Sequence, residues 1–462
     1  MATVEKRSNA DKKKSAGRKR ESLMLNYIAE IRDPVHGYIK VTREERAIID
    51  SIFLQRLRRI HQLAGAYMVY PGGIHTRFEH SLGTMHVAGL IAESVANKVG
   101  LDKRQVQEVR IAALLHDVGH GPYSHLFEEV LTDRTGITHE DMSQRIVLES
   151  DIHEILVRNG LSATRMSALC VGRLEDHPFM NEIIAGGLSA DIMDYLLRDS
   201  YFTGVEYGKV DIHRIIDSLS VLKGHLVLDQ AALYAFEALL IARYEMFKAV
   251  YFHRTVRAAE LMLVHSMALA DDELHLTEIP RVDRYLKLTD DATLERLMSL
   301  ATHNQKLKLA RKLAEDYNRR KFVKCVFEKV MQRKDRMVEQ IFSQKRFRRQ
   351  LTSEIAETAG VEATSVYIDV PTTPSVPYTY AKEMLHKITL VLSGFGGKHT
   401  DDVSITELPL IGSIAGFTDV LRVYTTSEHR NKVGKAVQSI FGREDYFRPP
   451  APAAAPSSKR VS

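Results

Sequence analysis

The feature that most constrains this chain is a strongly apolar stretch, IAALL, that runs directly into the polar pair His116 and Asp117. Glycine and proline follow at Gly119, Gly121 and Pro122, and residues of these types end helices. The pattern predicts a buried helix whose polar end opens into a cavity. Because burying an imidazole and a carboxylate without partners is costly, another group must satisfy them there.

Two interpretations of this pair are open, a helix cap with ordinary buried hydrogen bonds or part of a metal site. The surrounding sequence favours the metal site, because seven of the twenty histidines lie between His75 and His139. His80 in RFEHSLGT and Asp191 in LSADIMDYLLRDS supply two further candidate ligands. Two imidazoles and two carboxylates suit one divalent ion, whose charge the two carboxylates balance. The remaining coordination positions would accept water and a substrate oxygen, as in hydrolytic sites.

The sequence therefore predicts one divalent metal, whose identity stays open among Mg, Mn, Fe, Co, Ni and Zn. Hydrolysis of a phosphate ester also needs a proton for the leaving oxygen, and histidine suits this role because its pKa lies near neutrality. For any single histidine a structural hydrogen bond is the alternative, but clustering beside the metal site favours catalysis. The predicted metal ligands are His80, His116, Asp117 and Asp191, and the candidate proton donors are His120, His125 and His139.

Several long motifs in a fixed order carry a family resemblance. The order H…HD…D, with the tail HDxGHGPxSH, resembles the HD-domain phosphohydrolases and, more narrowly, their deoxynucleoside triphosphate (dNTP) triphosphohydrolases. These include bacterial members and a kind that also has a SAM domain, which we do not expect here. The similarity runs from about Ile31 to Leu263 through DPVHGYI, IIDSIFLQRLRRIHQL, RFEHSLG, HDVGHGPYSH, DYLLRDSYFTG and RYEMFKAVYFHRTVRAAELML.

The resemblance implies a mainly α fold with an HD-domain helical core, and an enzyme that splits a dNTP into deoxynucleoside and inorganic triphosphate. It implies that His120 and His125 lie against the scissile phosphate, with His139 close by. Glu128 stands where many relatives have Asp to orient the histidine pair. Arg77 resembles the phosphate-contacting arginine of the family, a surface salt bridge being the alternative. The residues expected to contact the deoxyribose are Gln62, Leu63, Tyr195 and Asp199, of which Leu63 and Tyr195 also suit a core.

Two positions depart from the members with a SAM domain. Ile192 follows the last metal aspartate, where those members have a phosphate-binding lysine. Their tyrosine that senses a 2′-hydroxyl has no clear match in HRTVRAA, where His253, Arg254 or Arg257 is a possible substitute. The bacterial members match DYLLRDSYFTG and VYFHxxxR better, so we expect their version of the pocket.

The resemblance also implies regulation by a nucleotide. Asp50, Gln55 and Arg58 match a family site that binds a guanine nucleotide activator at a subunit interface, and Arg320 and Lys324 resemble other contacts of that interface. We therefore expect GTP or dGTP as activator and a homo-oligomer, either a dimer or a tetramer. The same segment, IIDSIFLQRLRR, also fits an ordinary amphipathic helix with exposed charges.

Composition divides the chain into five segments. The first twenty residues hold eight Lys or Arg and two acidic residues, so the net charge of +5 resides in this tail. The tail either binds nucleic acid electrostatically or is a solvated leader. The segment EALLIARYEMFKAVYFHRTVRAAELMLVHSM predicts a long helix, whereas VYIDVP, KITLVL and LRVYTT predict strands of a small α+β lobe. The predicted segments are a disordered basic tail 1–24, an HD domain 25–290, a basic helical region 291–350, a C-terminal α+β lobe 351–446 and a disordered tail 447–462.

Missing patterns narrow the functional classes. No run of about 20 apolar residues predicts a membrane span. The two cysteines, Cys170 and Cys325, are far apart and favour a reduced, cytoplasmic setting. Neither a P-loop nor a dinucleotide fingerprint is present, so a metal and basic side chains would have to hold phosphates. The alternatives are an HD phosphohydrolase or phosphodiesterase for another nucleotide, and a non-catalytic regulator that binds nucleotides or nucleic acid; the intact metal set argues against the regulator.

Overall fold

A computed structural model shows a mainly α-helical protein, as the sequence predicted. Within its described part, short strands form three small sheets. The two predicted tails, 1–24 and 447–462, lie outside that part. The structure describes residues 25–332, 344–370, 387–394, 397–404 and 417–442.

The chain divides into two compact units. The described residues of the larger unit run to Lys321 and include the strands between 387 and 404; those of the smaller unit are 322–370 and 417–442. No helix in the described ranges is both long and apolar enough to cross a membrane. The helices of the larger unit are α1 (Arg43–Ile49), α2 (Ile52–Arg56), α3 (Arg77–Val99), α4 (Lys103–Leu115), α5 (His125–Thr135), α6 (His139–Glu149), α7 (Asp151–Arg158), α8 (Ala163–Leu169), α9 (Pro178–Ala185), α10 (Ala190–Thr203), α11 (Ile212–Ser218), α12 (Leu233–Met246), α13 (Arg254–Leu274), α14 (Asp290–Met298) and α15 (Gln305–Asn318).

Helices α3 and α4 form the centre of the larger unit. A capping box of Thr76 and Glu79 begins α3, and Gly100 ends it in the left-handed conformation at φ 75°. Asp102 and Gln105 form the capping box of α4, whose last ten residues are all buried. The apolar stretch noted in the sequence is therefore a core helix, and its C-terminal end fixes the position of the residues that follow.

A buried ion pair anchors α4 to the N-terminal part of the chain. Arg110 donates from Nε to Glu45 Oε1 at 2.6 Å and from Nη2 to Glu45 Oε2 at 2.9 Å. Gln107 Nε2 donates to the same carboxylate at 2.7 Å. Because both charges are buried and hydrogen-bonded, the loss of either partner would leave an uncompensated charge in the core.

Two small sheets belong to the larger unit. Strands β1 (Tyr27–Asp33) and β2 (Gly37–Thr42) form an antiparallel hairpin, and Gly37 at φ 79° allows its tight turn. The second sheet has the order β3-β4-β7-β8, in which β4 and β7 run parallel. Its strands are β3 (Leu219–Leu222), β4 (His225–Asp229), β7 (Lys387–Gly394) and β8 (Gly397–Ser404). The predicted strand KITLVL is β7, and it therefore pairs in the larger unit.

The predicted long helix is interrupted. After α12 the backbone forms a π-helical turn over Phe247–Tyr251, and α13 begins at Arg254 with His253 as its N-cap. Such π-turns disrupt the regular hydrogen-bond ladder and occur often at functional sites. The segment was predicted to be one continuous helix because it contains no glycine or proline, and no residue in it indicated this break.

The smaller unit is a three-stranded antiparallel sheet with two helices. Its sheet has the order β5-β9-β6, and apolar side chains of both helices pack with the sheet in one core. Part of the predicted basic helical region is wrong, because KCVFEKVMQ is a strand whose backbone pairs with β9 over its whole length. The elements are β5 (Lys324–Gln332), α16 (Lys345–Ala359), β6 (Val366–Asp369), β9 (Phe417–Thr425) and α17 (Arg430–Phe441).

Candidate metal centre and active site

The C-terminal end of α4 brings the histidine–aspartate pair into a buried cluster. His116 is the C-cap of α4, while His80 and Asp191 lie in the first turns of α3 and α10. His80 Nε2 lies 3.0 Å from Asp191 Oδ1 and 3.6 Å from Asp117 Oδ2. His116 Nε2 lies 3.2 Å from Asp117 Oδ1 and 3.7 Å from Asp191 Oδ1. The structure thus brings all four predicted metal ligands together.

Hydrogen bonds at the opposite ring nitrogens prepare both histidines to bind a cation. His116 Nδ1 lies 2.7 Å from the Ala113 carbonyl oxygen, so Nδ1 carries the proton and Nε2 keeps its lone pair. That Nε2 is buried and has no hydrogen-bond partner among the described residues. His80 Nδ1 likewise lies 2.8 Å from a carboxylate oxygen of Asp194. The four residues therefore fit one divalent cation.

Asp194 is a residue of the candidate site that the sequence analysis missed. Besides the His80 ring, its buried carboxylate contacts His36 Nε2 at 2.6 Å and accepts two hydrogen bonds from Arg198 at 2.9 Å. Gly83 on α3 makes room for it, because a Cβ at that position would overlap the Asp194 carboxylate. The motifs DPVHGYI and DYLLRDSYFTG contained these residues, but nothing in the sequence indicated that they pair.

Charges within the cluster keep its carboxylates ionised, which is the form that binds cations. Burial would raise the pKa of Asp117, but Arg77 and the neighbouring histidines hold it well below its usual range. Burial alone would lower the pKa of His80, but hydrogen bonds with Asp191 and Asp194 raise it to about 10 in the metal-free site, so a cation would bind Nε2 by displacing its proton. Arg77 Nη1 lies 2.5 Å from Asp117 Oδ2, and the arginine is only 4% exposed. A surface salt bridge is therefore the wrong interpretation for Arg77.

The three candidate proton donors form a second cluster, joined to the first through Asp117. His120 Nε2 lies 3.3 Å from Asp117 Oδ1, and the His120 ring stacks on His139 with centroids 4.0 Å apart. Glu128 Oε2 lies 2.8 Å from His125 Nδ1, and Glu128 Oε1 lies 2.6 Å from His139 Nδ1. Glu128 therefore reaches His125 but not His120, the other member of the pair that it was predicted to orient; its second contact is with His139.

These contacts shift the pKa values of His139, Glu128 and His120 in different directions. Burial would lower the pKa of His139, but its hydrogen bond with Glu128 raises it above the usual value. Burial would raise the pKa of Glu128, but the hydrogen bonds with His125 and His139 hold it well below its usual range. Burial and the charge of Arg77 lower the pKa of His120. Of His120 and His139, His139 therefore retains a proton more readily.

Two of the predicted sugar contacts carry buried polar atoms without a partner. Gln62 Oε1 and the Tyr195 hydroxyl have no hydrogen-bond partner in the described ranges. Unpaired buried polar atoms are costly in a folded protein, so a polar ligand would stabilise them. Leu63, the third predicted contact, is half-buried. These properties suit the predicted contact with a sugar.

Asp199, the fourth predicted sugar contact, is buried and has partners on both oxygens. The Tyr251 hydroxyl donates to Oδ2 at 2.6 Å, and His75 Nε2 lies 2.8 Å from Oδ1. Tyr251 is the last residue of the π-turn, and it is a second residue that the sequence analysis missed. Its position two residues before His253 in VYFHRT could have indicated it, because the motif was already recognised.

The positions that depart from the expected pattern have ordinary structural roles. Ile192 is buried at 7% exposure. His253 accepts from the Thr255 amide as the N-cap of α13, and Arg257 Nη1 donates to Glu260 at 2.6 Å. Arg254 is exposed. None of these contacts identifies a substitute for the missing lysine or tyrosine.

Two of the predicted activator residues, Gln55 and Arg58, are joined by local contacts at the α1–α2 segment. Gln55 Nε2 donates to the Ile49 carbonyl at 2.8 Å, and Arg58 Nε donates to Gln55 Oε1 at 2.9 Å. The Asp50 side chain is 66% exposed. Arg320 donates to the Met68 carbonyl at 3.0 Å, and Lys324 begins β5 in the smaller unit.

Comparison with known proteins identifies two family regions. The HD domain matches residues 77–199, and the HD associated region matches residues 210–395. A crystal structure of a hypothetical protein from Aquifex aeolicus superposes with a TM-score of 0.70 at 31% identity, covering 89% of this chain and 100% of that one.

Curated relatives match over part of their length. An uncharacterized protein of Methanocaldococcus jannaschii is 36% identical over 58% of this chain and 57% of its own length. The human deoxynucleoside triphosphate triphosphohydrolase SAMHD1 is 29% identical over 64% of this chain and 55% of its own length. The chain thus spans a little over half of these two curated relatives.

Proposed function

We propose that this protein, which belongs to the HD-domain family and contains its HD-associated region, is a metal-dependent dNTP triphosphohydrolase that releases deoxynucleoside and inorganic triphosphate. One observation carries the proposal. Asp117 joins the cluster that fits a divalent cation to the cluster of histidines held by Glu128. The matched relatives from human and Dictyostelium discoideum named as dNTP triphosphohydrolases support the choice of substrate.

Each of the two clusters serves a different part of phosphate-ester cleavage. A divalent cation held by the ligand set would polarise a phosphoryl oxygen and lower the pKa of water. Arg77 provides a fixed positive charge for the phosphate oxygens, because burial beside Asp117 holds its guanidinium in place. His125 and His139 supply and recover the proton of the leaving 5′-oxygen, while Glu128 holds both rings. The proposed cation ligands are His80, His116, Asp117 and Asp191.

The unpaired polar atoms of Gln62 and Tyr195 support recognition of a sugar. A sugar hydroxyl can donate to the amide oxygen and accept from the phenol, which would satisfy both atoms. The buried pair of Asp199 and Tyr251 adds a carboxylate whose position is fixed by its own hydrogen bonds. We therefore assign Gln62, Leu63, Tyr195 and Asp199 to the deoxyribose.

Product analysis tests the reaction type. The protein should be incubated with each of the four dNTPs and with ribonucleotides, in separate reactions containing Mg, Mn, Fe or Co, and with or without GTP. Chromatography should show deoxynucleoside and intact triphosphate in equal amounts. Release of monophosphate and pyrophosphate, or stepwise release of phosphate, would contradict the proposal and support another HD phosphohydrolase activity.

We also propose that GTP or dGTP activates the enzyme at the α1–α2 surface and assembles a dimer or tetramer. The Asp50 carboxylate can accept from the N1 and N2 donors of guanine, while Arg58 accompanies the base or a phosphate. A nucleotide shared between subunits stabilises the assembly by mass action, so oligomer size and rate should rise together. Arg320 and Lys324 are assigned to the same interface.

Light scattering and initial rates, each measured across a GTP titration, test this regulation. Arg58→Ala should need more GTP for both responses. Arg158→Ala is the matched control, because Arg158 is a 74% exposed arginine on α7 whose ion-pair partner is Glu154. If neither the oligomer size nor the initial rate of the unaltered protein responds to guanine nucleotides, the α1–α2 segment is only a solvated charged surface.

A further inference from the structure

The two residues before His125 are in a strained conformation. Tyr123 and Ser124 both have φ of 57°, a region that side-chain-bearing residues rarely adopt. His125 follows directly as the first residue of α5. Because two consecutive strained residues persist only where their surroundings fix them, the direction in which His125 enters the site depends on the contacts of this turn.

Asp290, the first residue of α14, supplies the main contact. Its buried Oδ1 accepts from the Tyr123 amide at 2.6 Å, and the Tyr123 hydroxyl donates to its carbonyl oxygen at 3.1 Å. Its Oδ2 accepts from the His61 amide at 2.9 Å. The Ser124 hydroxyl in turn donates to the His61 carbonyl at 2.9 Å and accepts from Arg77 Nε at 2.7 Å. The Asp290 carboxylate therefore holds Tyr123 directly and Ser124 through His61.

Residues just before Asp290 hold the preceding part of the same loop. The buried Tyr285 hydroxyl donates to the Gly119 carbonyl at 2.7 Å. Arg56 donates to the His120 carbonyl at 2.6 Å and to the Leu288 carbonyl at 3.2 Å. The Arg56 guanidinium also lies over the Tyr285 ring, 4.4 Å from its centroid. We call the segment from Tyr285 to Asp290 the clamp. It contacts the loop of residues 119–124 near both ends of that loop, through Tyr285 at Gly119 and through Asp290 at Tyr123.

We propose that the clamp is a positioning element of the active site, with Asp290 as the positioning residue that sets the direction of His125. The proposal rests on the proposed function, which gives His125 its role in proton transfer. The clamp lies in the HD-associated region, outside the residues that match the HD domain itself. The HD-associated region therefore has a specific task, to fix the loop that the HD domain supplies.

A double-mutant comparison tests this role. In Asp290→Asn the amide can replace only part of the carboxylate's hydrogen bonds, so kcat should fall by about tenfold or more, as displaced catalytic groups do. KM and bound metal should stay at their original values. In a His125→Ala background the same substitution should cause no further loss, because the group it positions is absent. Equal losses in both backgrounds, or no loss in either, would overturn the proposal.

Asp291→Asn is the matched control, because Asp291 is exposed, adjacent and in the same first turn of α14. It removes the same charge from the helix N-terminus and should leave kcat unchanged. Tyr285→Phe removes a single hydroxyl and decides the matter if Asp290→Asn does not fold. It should lower kcat with His125 present and have no effect with His125 absent; any other pattern contradicts the clamp.

Hydrogen exchange of the full chain separates this proposal from the proposed function. The peptide covering residues 119–126 should exchange faster in Asp290→Ala than in the parent or in Asp291→Ala, because alanine leaves the Tyr123 amide without its side-chain acceptor. Unchanged exchange would overturn the clamp whatever the enzyme does. If the parent protein releases no triphosphate but exchange still responds, the proposed reaction fails while the structural contact stands.

Discussion

Replacement of Asp194 by asparagine is the sharpest test of how the metal centre is built. The carboxylate accepts from Arg198 at both of its oxygens, at 2.9 Å each. Every orientation of an amide therefore turns an N–H towards a guanidinium N–H. One orientation also turns the amide N–H towards His80 Nδ1, which favours the tautomer whose Nε2 carries the proton and cannot bind a cation.

The size of the effect follows from these contacts. Partners that orient metal-binding histidines typically contribute ~10- to 100-fold in metal affinity. This corresponds to ~1.4–2.8 kcal/mol of binding free energy, which is comparable to one hydrogen bond to a charged group at ~1.5–3 kcal/mol. We therefore expect the dissociation constant of Asp194→Asn for Mn to rise by ~10- to 100-fold.

The assay is calorimetric titration of the metal-free protein with Mn, followed by rates at limiting and saturating Mn. Asp194→Asn should recover most of its activity at saturating metal, because all four ligands remain. Asp191→Ala, which removes a ligand, should stay inactive at any metal concentration. Asp217→Asn, an exposed aspartate on α11, is the control. Metal affinity of Asp194→Asn equal to that of the control would refute the assignment of Asp194 as the partner that orients His80.

Three further outcomes follow from the same structure. His125→Ala should retain its metal but lose ~100- to 10,000-fold in turnover, whereas a loss of less than threefold in a steady-state assay would make His125 structural. Because Glu128 raises the pKa of His139, the protonated form persists to higher pH than in a free imidazole and is lost as the pH rises through that pKa; Glu128→Gln should move the alkaline limb of the pH–kcat profile to lower pH. Gly83→Ala should weaken metal binding as Asp194→Asn does, since its Cβ would overlap that carboxylate, and unchanged affinity by calorimetry would contradict this.

The parts of the site that the sequence predicted are those encoded locally. His116 and Asp117 end an apolar helix, and the glycines after them mark where it stops. His80 in RFEHSLGT and Asp191 in a separate apolar helix were identified as further ligands because their side chains suit a divalent metal. The order H…HD…D of the resembled family supported the same set, so the four predicted ligands could be named before their distances were known.

The parts that could not be predicted depend on contacts between distant positions. His36 meets Asp194 across 158 residues, and Asp290 meets Tyr123 across 167. No periodicity within either segment specifies its partner, because the contact exists only after the helices have packed. The π-turn that brings Tyr251 to Asp199 was missed for a similar reason, since residues without glycine or proline read as a continuous helix. The strand KCVFEKVMQ was read as helical because its pairing with β9 is not visible in its composition.

The spacing of Asp117 and His120 within HDVGH allows Asp117 to contact both clusters. Asp117, a candidate metal ligand, lies just after the helix. His120 follows three residues later, and its Nε2 lies 3.3 Å from Asp117 Oδ1. Gly119 between them is necessary, because a Cβ there would overlap the His139 carbonyl and Ser143 of α6. That close approach lets α6 bring His139 to within 4.0 Å of the His120 ring. The motif therefore sets the distance between the proposed cation site and the proposed proton donors, in addition to supplying ligands.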